Sequence, residues 1–478
     1  MKRSFSVTLF ALFVIFASVS ISYSQYNTKQ LTHNDYNEWD PQINDNGYVV
    51  WVGPYSKIFL YDGTSTTQIP NSNCYLTYPR INNNGYVVWE GHDDLNHYQV
   101  FLYDGSSTTQ LTNYDNPSNN PFAGPQINDS GHVVWSGYDG AADGDREIFL
   151  YDGTTTNQIT HNDYNDWAPS INNNGYVAWY IIDGSDWEIF LYDGTSITQL
   201  TNNDYIDGYP QINDNGWVVW QGQESDGEIF LYDGTSTTQL TNNEYDDWGP
   251  PRINSNGYVV WRGCDGTTNY ACDGGDWEIF LYDGTSSTQI TNNDYDDWTP
   301  RINDSEYVVW TAFSGGPGKS IFLYDGTSTT QITNKAHNYC GSRINDNGYV
   351  VWYGSDGSDD EIFLSFPCSV DEDIDDDGYV SVSCGGDDCN DNSDNVNPGV
   401  VEDLAEGNCD DGEDNDCDGN PDCNDSDCPV CPPCSSSLRG STLGVDQVHG
   451  GSDLAKHLAY LLLPVGVIIG LGIWRRKR

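Results

Sequence analysis

The sequence predicts an all-β protein whose main body is an eight-bladed β-propeller closed by its own N-terminal strand. Three observations carry this. One unit recurs eight times between residues 26 and 366. Each copy reads as four short strands. The copies are also out of phase with the ends of the array, so the first segment completes the last unit.

The repeat is explicit. Ile-Asn-x-x-Gly-x-Val-x-Trp begins at Ile43, Ile81, Ile127, Ile171, Ile212, Ile253, Ile302 and Ile344, and the seventh copy carries Glu306 in place of Gly. Phe-Leu-Tyr-Asp-Gly starts at Phe59 and recurs to Phe322, decaying to Phe363-Leu364-Ser365 in the eighth copy. Successive Trp residues lie 38 to 49 positions apart. That period suits one four-stranded blade better than a helical repeat. Within a unit, strand a is Pro-x-Ile-Asn, and a Gly-containing hairpin turn follows it. Strand b is Tyr-Val-Val-Trp and strand c is Glu-Ile-Phe-Leu-Tyr, both rich in β-forming residues. After Asp-Gly, Thr-Thr-Gln-Leu-Thr is strand d. The first Gln-Leu-Thr, at Gln30, precedes the first strand a, while the last unit ends after strand c at Phe366. The N-terminal segment that carries Gln30 therefore supplies the missing fourth strand, leaving no open edge between the ends.

This pattern resembles the TolB-type repeat over about residues 26–366, with Asn-Asp-Asn-Gly where that family has Ser-Pro-Asp-Gly. The resemblance implies a propeller. It implies little about function, because propellers host many.

Composition agrees with the fold and narrows the function. The 478 residues carry 18 basic and 72 acidic side chains, a formal net charge of −54. Of the acids, 58 are Asp and 14 are Glu. Asp favours turns and caps, whereas helical proteins favour Glu. Nucleic acid is excluded as a partner by repulsion between polyanions. Aromatic residues at 13% exclude a merely disordered acidic chain.

The ends point to export. Residues 1–24 read as a secretory signal, with Lys2 and Arg3 before an apolar run from Val7 to Val19. Residues 25–367 are the propeller, 368–434 an acidic Cys-rich module and 435–456 a linker. In 457–478, Leu458–Trp474 is 17 residues without a charge, followed by Arg475-Arg476-Lys477-Arg478. It reads as one C-terminal transmembrane helix or a cleaved surface-sorting segment, with the bulk of the chain outside the cytoplasm.

From Asp371 to Cys434 there are 22 acids, eight Cys and no Lys or Arg. Asp373, Asp375 and Asp377 before Gly378, and Asp414, Asp416 and Asp418 before Gly419, place alternate carboxylates where a curled chain converges on one cation. Neither stretch has Glu at the twelfth loop position, so neither is an EF-hand. Residues 371–428 resemble thrombospondin type 3 repeats and, more closely, the MopE-type metal-binding module of secreted bacterial proteins. The resemblance implies Ca²⁺ held by these six Asp together with Asp388, Asn390 and Asp425, in a small disulfide-rich segment.

Strand order puts the a–b and c–d turns on one face and the longer b–c and d–a loops on the other. The long-loop face should be rich in carboxylates, with Trp167, Trp248 and Trp298 as contact residues. The sixth unit inserts Cys264 to Cys272, a spacing that suits a disulfide in an exported chain and presents Tyr270. No Gly-x-Ser-x-Gly or His-Glu-x-x-His occurs. The expectation is a surface-anchored module that binds protein or glycan, with a propeller lyase or glycosidase as the alternative.

Calcium dependence follows from the acidic module. A chelator should lower the thermal stability of the full chain, and added Ca²⁺ should restore it. Identical melting curves with and without chelator would remove the calcium reading.

Overall fold

The structure is a computed structural model. It describes residues 26–368 apart from 71–78, 115–123, 140–143, 183, 185, 224–225, 265–271, 273–275, 314–317, 334–338 and 356. The predicted signal, the acidic module beyond Cys368, the linker and the C-terminal apolar segment lie outside the described residues. Among the described residues no helix is long and apolar enough to cross a membrane.

The described chain is all-β. The repeats fold as four-stranded antiparallel units in a–b–c–d order. Six of the seven sheets are single units. The seventh has eight strands, because one parallel pairing, Trp187 with Ile206, joins two neighbouring units. The N-terminal strand Tyr26–Gln30 pairs antiparallel with Asp360–Pro367, Tyr26 opposite Pro367 and Gln30 opposite Phe363.

Strand b is a continuous apolar run because both its faces are buried. Val49, Val50 and Trp51 have no accessible surface. Val50 packs with Val87 and Trp89 of the next unit, and Val49 with Val351 and Ile362 of the last. The b–c register sets each Trp opposite a Phe, as in Trp51 with Phe59. All eight pairs stack, with ring centroids 5.7 to 6.0 Å apart. This accounts for the retention of Phe363 where the rest of its motif has decayed. It also explains Trp-x-Gly, since a Cβ on Gly222 would lie 2.6 Å from the Phe230 ring and 2.7 Å from Asp207.

Strand a is longer than the sequence suggests. It runs Asn165–Ile171 in one unit and Asp247–Ile253 in another, taking in residues assigned to loops. A β-bulge interrupts the pairing after Trp167 and after Trp248. The residue after the Trp turns left-handed, at φ 49° for Ala168 and 92° for Gly249, with a Pro next. The bulge and proline break the two-residue alternation on which strand reading depends.

The a–b turn is a three-residue loop with a Gly at positive φ. Gly47 N–H donates to the Asn44 carbonyl at 3.0 Å, and Asn44 N–H donates to the Tyr48 carbonyl at 3.1 Å. The Asn44 side chain does the rest. Its Oδ1 accepts from Asn46 and Tyr48 N–H, and its Nδ2 donates to the Asn82 carbonyl of the next unit at 2.9 Å. The same bond runs from Asn82 through Asn128, Asn172, Asn213, Asn254 and Asn303 to Asn345. Asn345 Nδ2 donates back to the Asn44 carbonyl at 2.9 Å, so the series closes on itself.

Opposite effects are expected from two substitutions in the seventh turn. Asn303 is buried and bonds both Tyr307 N–H and the Asn345 carbonyl. Asn303→Ala should destabilise by about 2 kcal/mol, since buried partners are left unpaired. Glu306 holds φ 69° where the other copies have Gly. Glu306→Gly should stabilise by about 1 kcal/mol by relieving the left-handed strain. Chemical denaturation of both variants checks the pair. A destabilised Glu306→Gly variant would contradict the strain argument.

Candidate functional site

On the long-loop face, five side-chain types from two neighbouring units form one recurring cluster. In the fourth and fifth units, Glu188 lies in strand Trp187–Tyr192 and Asp207 in strand Ile206–Ile212. Thr201 Oγ1 donates to Glu188, and Asn203 N–H donates to its other oxygen at 2.9 Å. Asn203 Nδ2 donates to Asp207 Oδ2 at 2.7 Å, and Trp220 Nε1 to Asp207 Oδ1 at 3.0 Å. Glu147 with Asp166, Glu228 with Asp247, and Glu278 with Asp297 repeat the cluster, each with its Asn and Trp donors. Glu361 with Glu38 repeats it across the ends of the array. In one unit Gln99 replaces the Glu and Tyr114 replaces the Asp, so the arrangement works without charge.

These carboxyls are almost wholly buried. Burial raises Asp207 and Asp247 to about 6 and Glu228 to about 7. Asp166 is raised by burial and by a hydrogen bond to Glu147; Glu278 is raised by burial and its contact with Asp297. Burial of this kind disfavours the charged form of these carboxyls. Their remaining lone pairs are taken by Thr, Asn and Trp. Part of the carboxylate field expected on this face is therefore internal framework. In one place the framework opens, where Asn293, Tyr295, Asp297, Trp310 and Phe322 line a pocket of about 260 Å³.

Trp167, Trp248 and Trp298 are half-buried in strand a. Arg146 stacks on Trp167 at 4.5 Å and on Tyr138 at 4.7 Å. Arg262 stacks on Trp298 at 4.0 Å and on Trp277 at 4.8 Å. Each guanidinium thus joins aromatic rings of two adjacent units. Exposed aromatics of the d–a loops are instead tyrosines at the repeat position three residues earlier, before strand a of the first, fourth, fifth and seventh units, while Tyr245 before Trp248 is half-buried. Tyr36, Tyr164, Tyr205 and Tyr295 are 45%, 44%, 38% and 39% exposed. Each N–H donates to an Asn Oδ1 two residues earlier, an Asx turn. The Asn-x-Tyr spacing is the sequence signal for the turn, and Asn243-x-Tyr245 makes the same bond with a half-buried ring.

The Cys264 and Cys272 sulfurs are bonded, with Cα atoms 5.5 Å apart. Tyr270 and the expected calcium ligands, Asp373 to Asp425, lie outside the described residues. Asp139, Asp145 and Glu147 have ligand atoms within 4.8 Å of one another, a group of carboxylates that the sequence reading did not single out.

No family model matches the chain, and no curated protein matches it. Solved structures are similar to it. The dipeptidyl peptidase 4 of Porphyromonas gingivalis matches with a TM-score of 0.50 at 12% identity, over 69% of this chain and 58% of that one. An acylaminoacyl peptidase of Pyrococcus horikoshii matches with a TM-score of 0.44 at 13% identity, over 67% and 57%. The β-propeller domain of the Trilobed protease from Pyrococcus furiosus matches with a TM-score of 0.42 at 13% identity, over 61% and 95%. The chain spans less than three fifths of the length of the first two. The likeness is one of fold, all-β and propeller-like.

A pH dependence follows from two opposed sets of acids. Buried carboxyls raised to about 6 or 7 retain protons that the unfolded chain has released above about pH 4. Their contribution to stability is lost as pH rises through 6 and 7. The exposed turn residues Asp62, Asp104 and Asp233 are lowered to about 2 by backbone and hydroxyl hydrogen bonds. Their contribution is lost as pH falls below about 4. The melting temperature at constant ionic strength should therefore peak near pH 4 to 5. A flat profile between pH 5 and 8 would contradict the buried-carboxyl argument.

Proposed function

We propose that the chain is an exported binding or adhesion module, an eight-bladed β-propeller presented on a calcium-stabilised acidic segment next to a membrane or surface anchor. The observation that carries it is the division of labour on the long-loop face. Part of the acids there is spent on internal hydrogen bonds, while equivalent Asx turns carry a set of exposed tyrosines. Exposed tyrosines offer large apolar faces with a polar tip, which suits a protein or glycan surface. The repeat count and the closed series of Asn bonds support the eight-blade reading. Export, the anchor and Ca²⁺ rest on residues 1–24, 457–478 and 371–428.

A second reading is an enzyme of the propeller lyase or glycosidase kind. The pocket beside Asp297, a buried carboxyl raised by desolvation and lying near Tyr295, is the observation in its favour. The recurrence of the same Glu–Asp pair in neighbouring units weighs against it, since catalysis needs one site that differs.

Replacing Tyr36, Tyr164, Tyr205 and Tyr295 together by Ala should abolish binding on glycan and surface-protein arrays and leave the melting temperature within about 2 °C. A chain that binds nothing on such arrays yet turns over a polysaccharide, with turnover lost on Asp297→Asn alone, would overturn the binding reading in favour of the enzyme.

A further inference from the structure

Four arginines occupy one repeat position. The residue before Ile in each Ile-Asn motif is Gln42, Arg80, Gln126, Ser170, Gln211, Arg252, Arg301 or Arg343. The Asn two residues on forms the closed inter-unit series, so this position lies two residues from those contacts on strand a. Residues 25–367 contain ten basic side chains against 48 acids, and four of the ten stand here.

We propose that the axial channel is a binding site for a small oxyanion, a carboxylate or phosphate group gripped by Arg80, Arg252, Arg301 and Arg343. The cluster reaches across units. Arg343 Nε donates to Gln42 Oε1 at 3.2 Å and Arg252 Nη1 to Gln211 Oε1 at 2.5 Å. Arg301 and Arg343 spend an Nη1 on the Pro300 and Ser342 carbonyls. Arg252 Nε and Gln42 Nε2 are buried donors with no partner. Among the described residues no carboxylate lies within 4 Å of Arg252, Arg301 or Arg343. Asp40 is the acid that feels the group, through Arg343 and Arg80.

The electrostatics agree with the geometry. Burial, then the neighbouring guanidiniums, push Arg252 down to about 9 and Arg343 to about 10, and Arg301 is lowered by the same causes. Arg80 contributes to lowering Arg252 although four units separate them round the series. Guanidiniums that lower one another in this way, with Asp40 the acid coupled to Arg343 and Arg80, are held together at a cost. An oxyanion removes that cost, and the planar guanidinium fork suits carboxylate and phosphate. The two ends of the channel differ. At the short-turn end, a cavity of about 320 Å³ is rimmed by Asp45, Asp129, Asp214, Asp304 and Asp346, which repel anions. Entry is therefore from the long-loop face.

The test is calorimetric titration of the full chain with citrate and with inorganic phosphate, ionic strength held constant with NaCl. At least one should bind saturably and raise the melting temperature. Preference for citrate identifies a carboxylate ligand, and preference for phosphate a phosphorylated one. Arg252→Gln and Arg301→Gln, made separately, should each weaken binding about tenfold or more. Neither should lower the melting temperature of the anion-free protein, because each relieves repulsion. Lys29→Gln, on the outermost strand, should bind like the parent. The proposal is overturned if neither anion binds saturably, or if both Arg variants bind like the parent. It is also overturned if both Arg variants melt lower without anion while the parent shows no anion response.

Discussion

Each Ile-Asn turn is built around a carboxamide whose two ends do different work. The oxygen accepts from two N–H groups of its own turn, which fixes the three-residue loop and the following Gly at positive φ. The nitrogen donates to the next turn's carbonyl, which fixes the neighbour. A carboxylate could not donate that second bond, and Ser could not reach it while holding the first. Because the last bond returns to the first turn, each unit's position depends on all the others. Strand pairing builds the units, Trp–Phe stacks fill them, and this closed series places the innermost strands together.

Everything of functional interest inherits that placement. Neighbouring units meet face to face, so a carboxyl from one can take donors from the next, and burial then makes it keep its proton. The same approach sandwiches Arg146 and Arg262 between aromatic rings of adjacent units. It also brings four arginines from separate repeats toward one line. The formal charge of −54 therefore overstates what solvent meets, since some acids are internal, while four of the ten basic side chains of residues 25–367 stand at one inner repeat position.

The strand content and the unit boundaries were legible in the sequence, because strands b and c are short apolar or alternating runs bounded by Gly turns. The extent of strand a was not. Its bulge and proline interrupt the alternation between Trp167 and Ser170, so its first half looked like loop. The candidate site was legible in part. The long-loop face was identifiable from strand order, but the half-burial of Trp167, Trp248 and Trp298 was not. A tryptophan gains most from burial, and here Trp167 and Trp298 each lie against a guanidinium, whereas Tyr36, Tyr164, Tyr205 and Tyr295 on their Asx turns stay exposed.

By itself the sequence determined what is local or repeated: the period, the turn chemistry, the strand propensities and the phase shift that assigns the N-terminal segment to the last unit. These are properties of neighbouring residues, and eight copies state them redundantly. Tertiary structure alone decided which acids are framework and which rings are exposed, and that the four arginines converge. Those outcomes depend on contacts between different strands and units, from 13 positions apart for Thr201 with Glu188 to 301 for Arg343 with Gln42, where the surrounding strands, and not the residue type alone, set burial and partner.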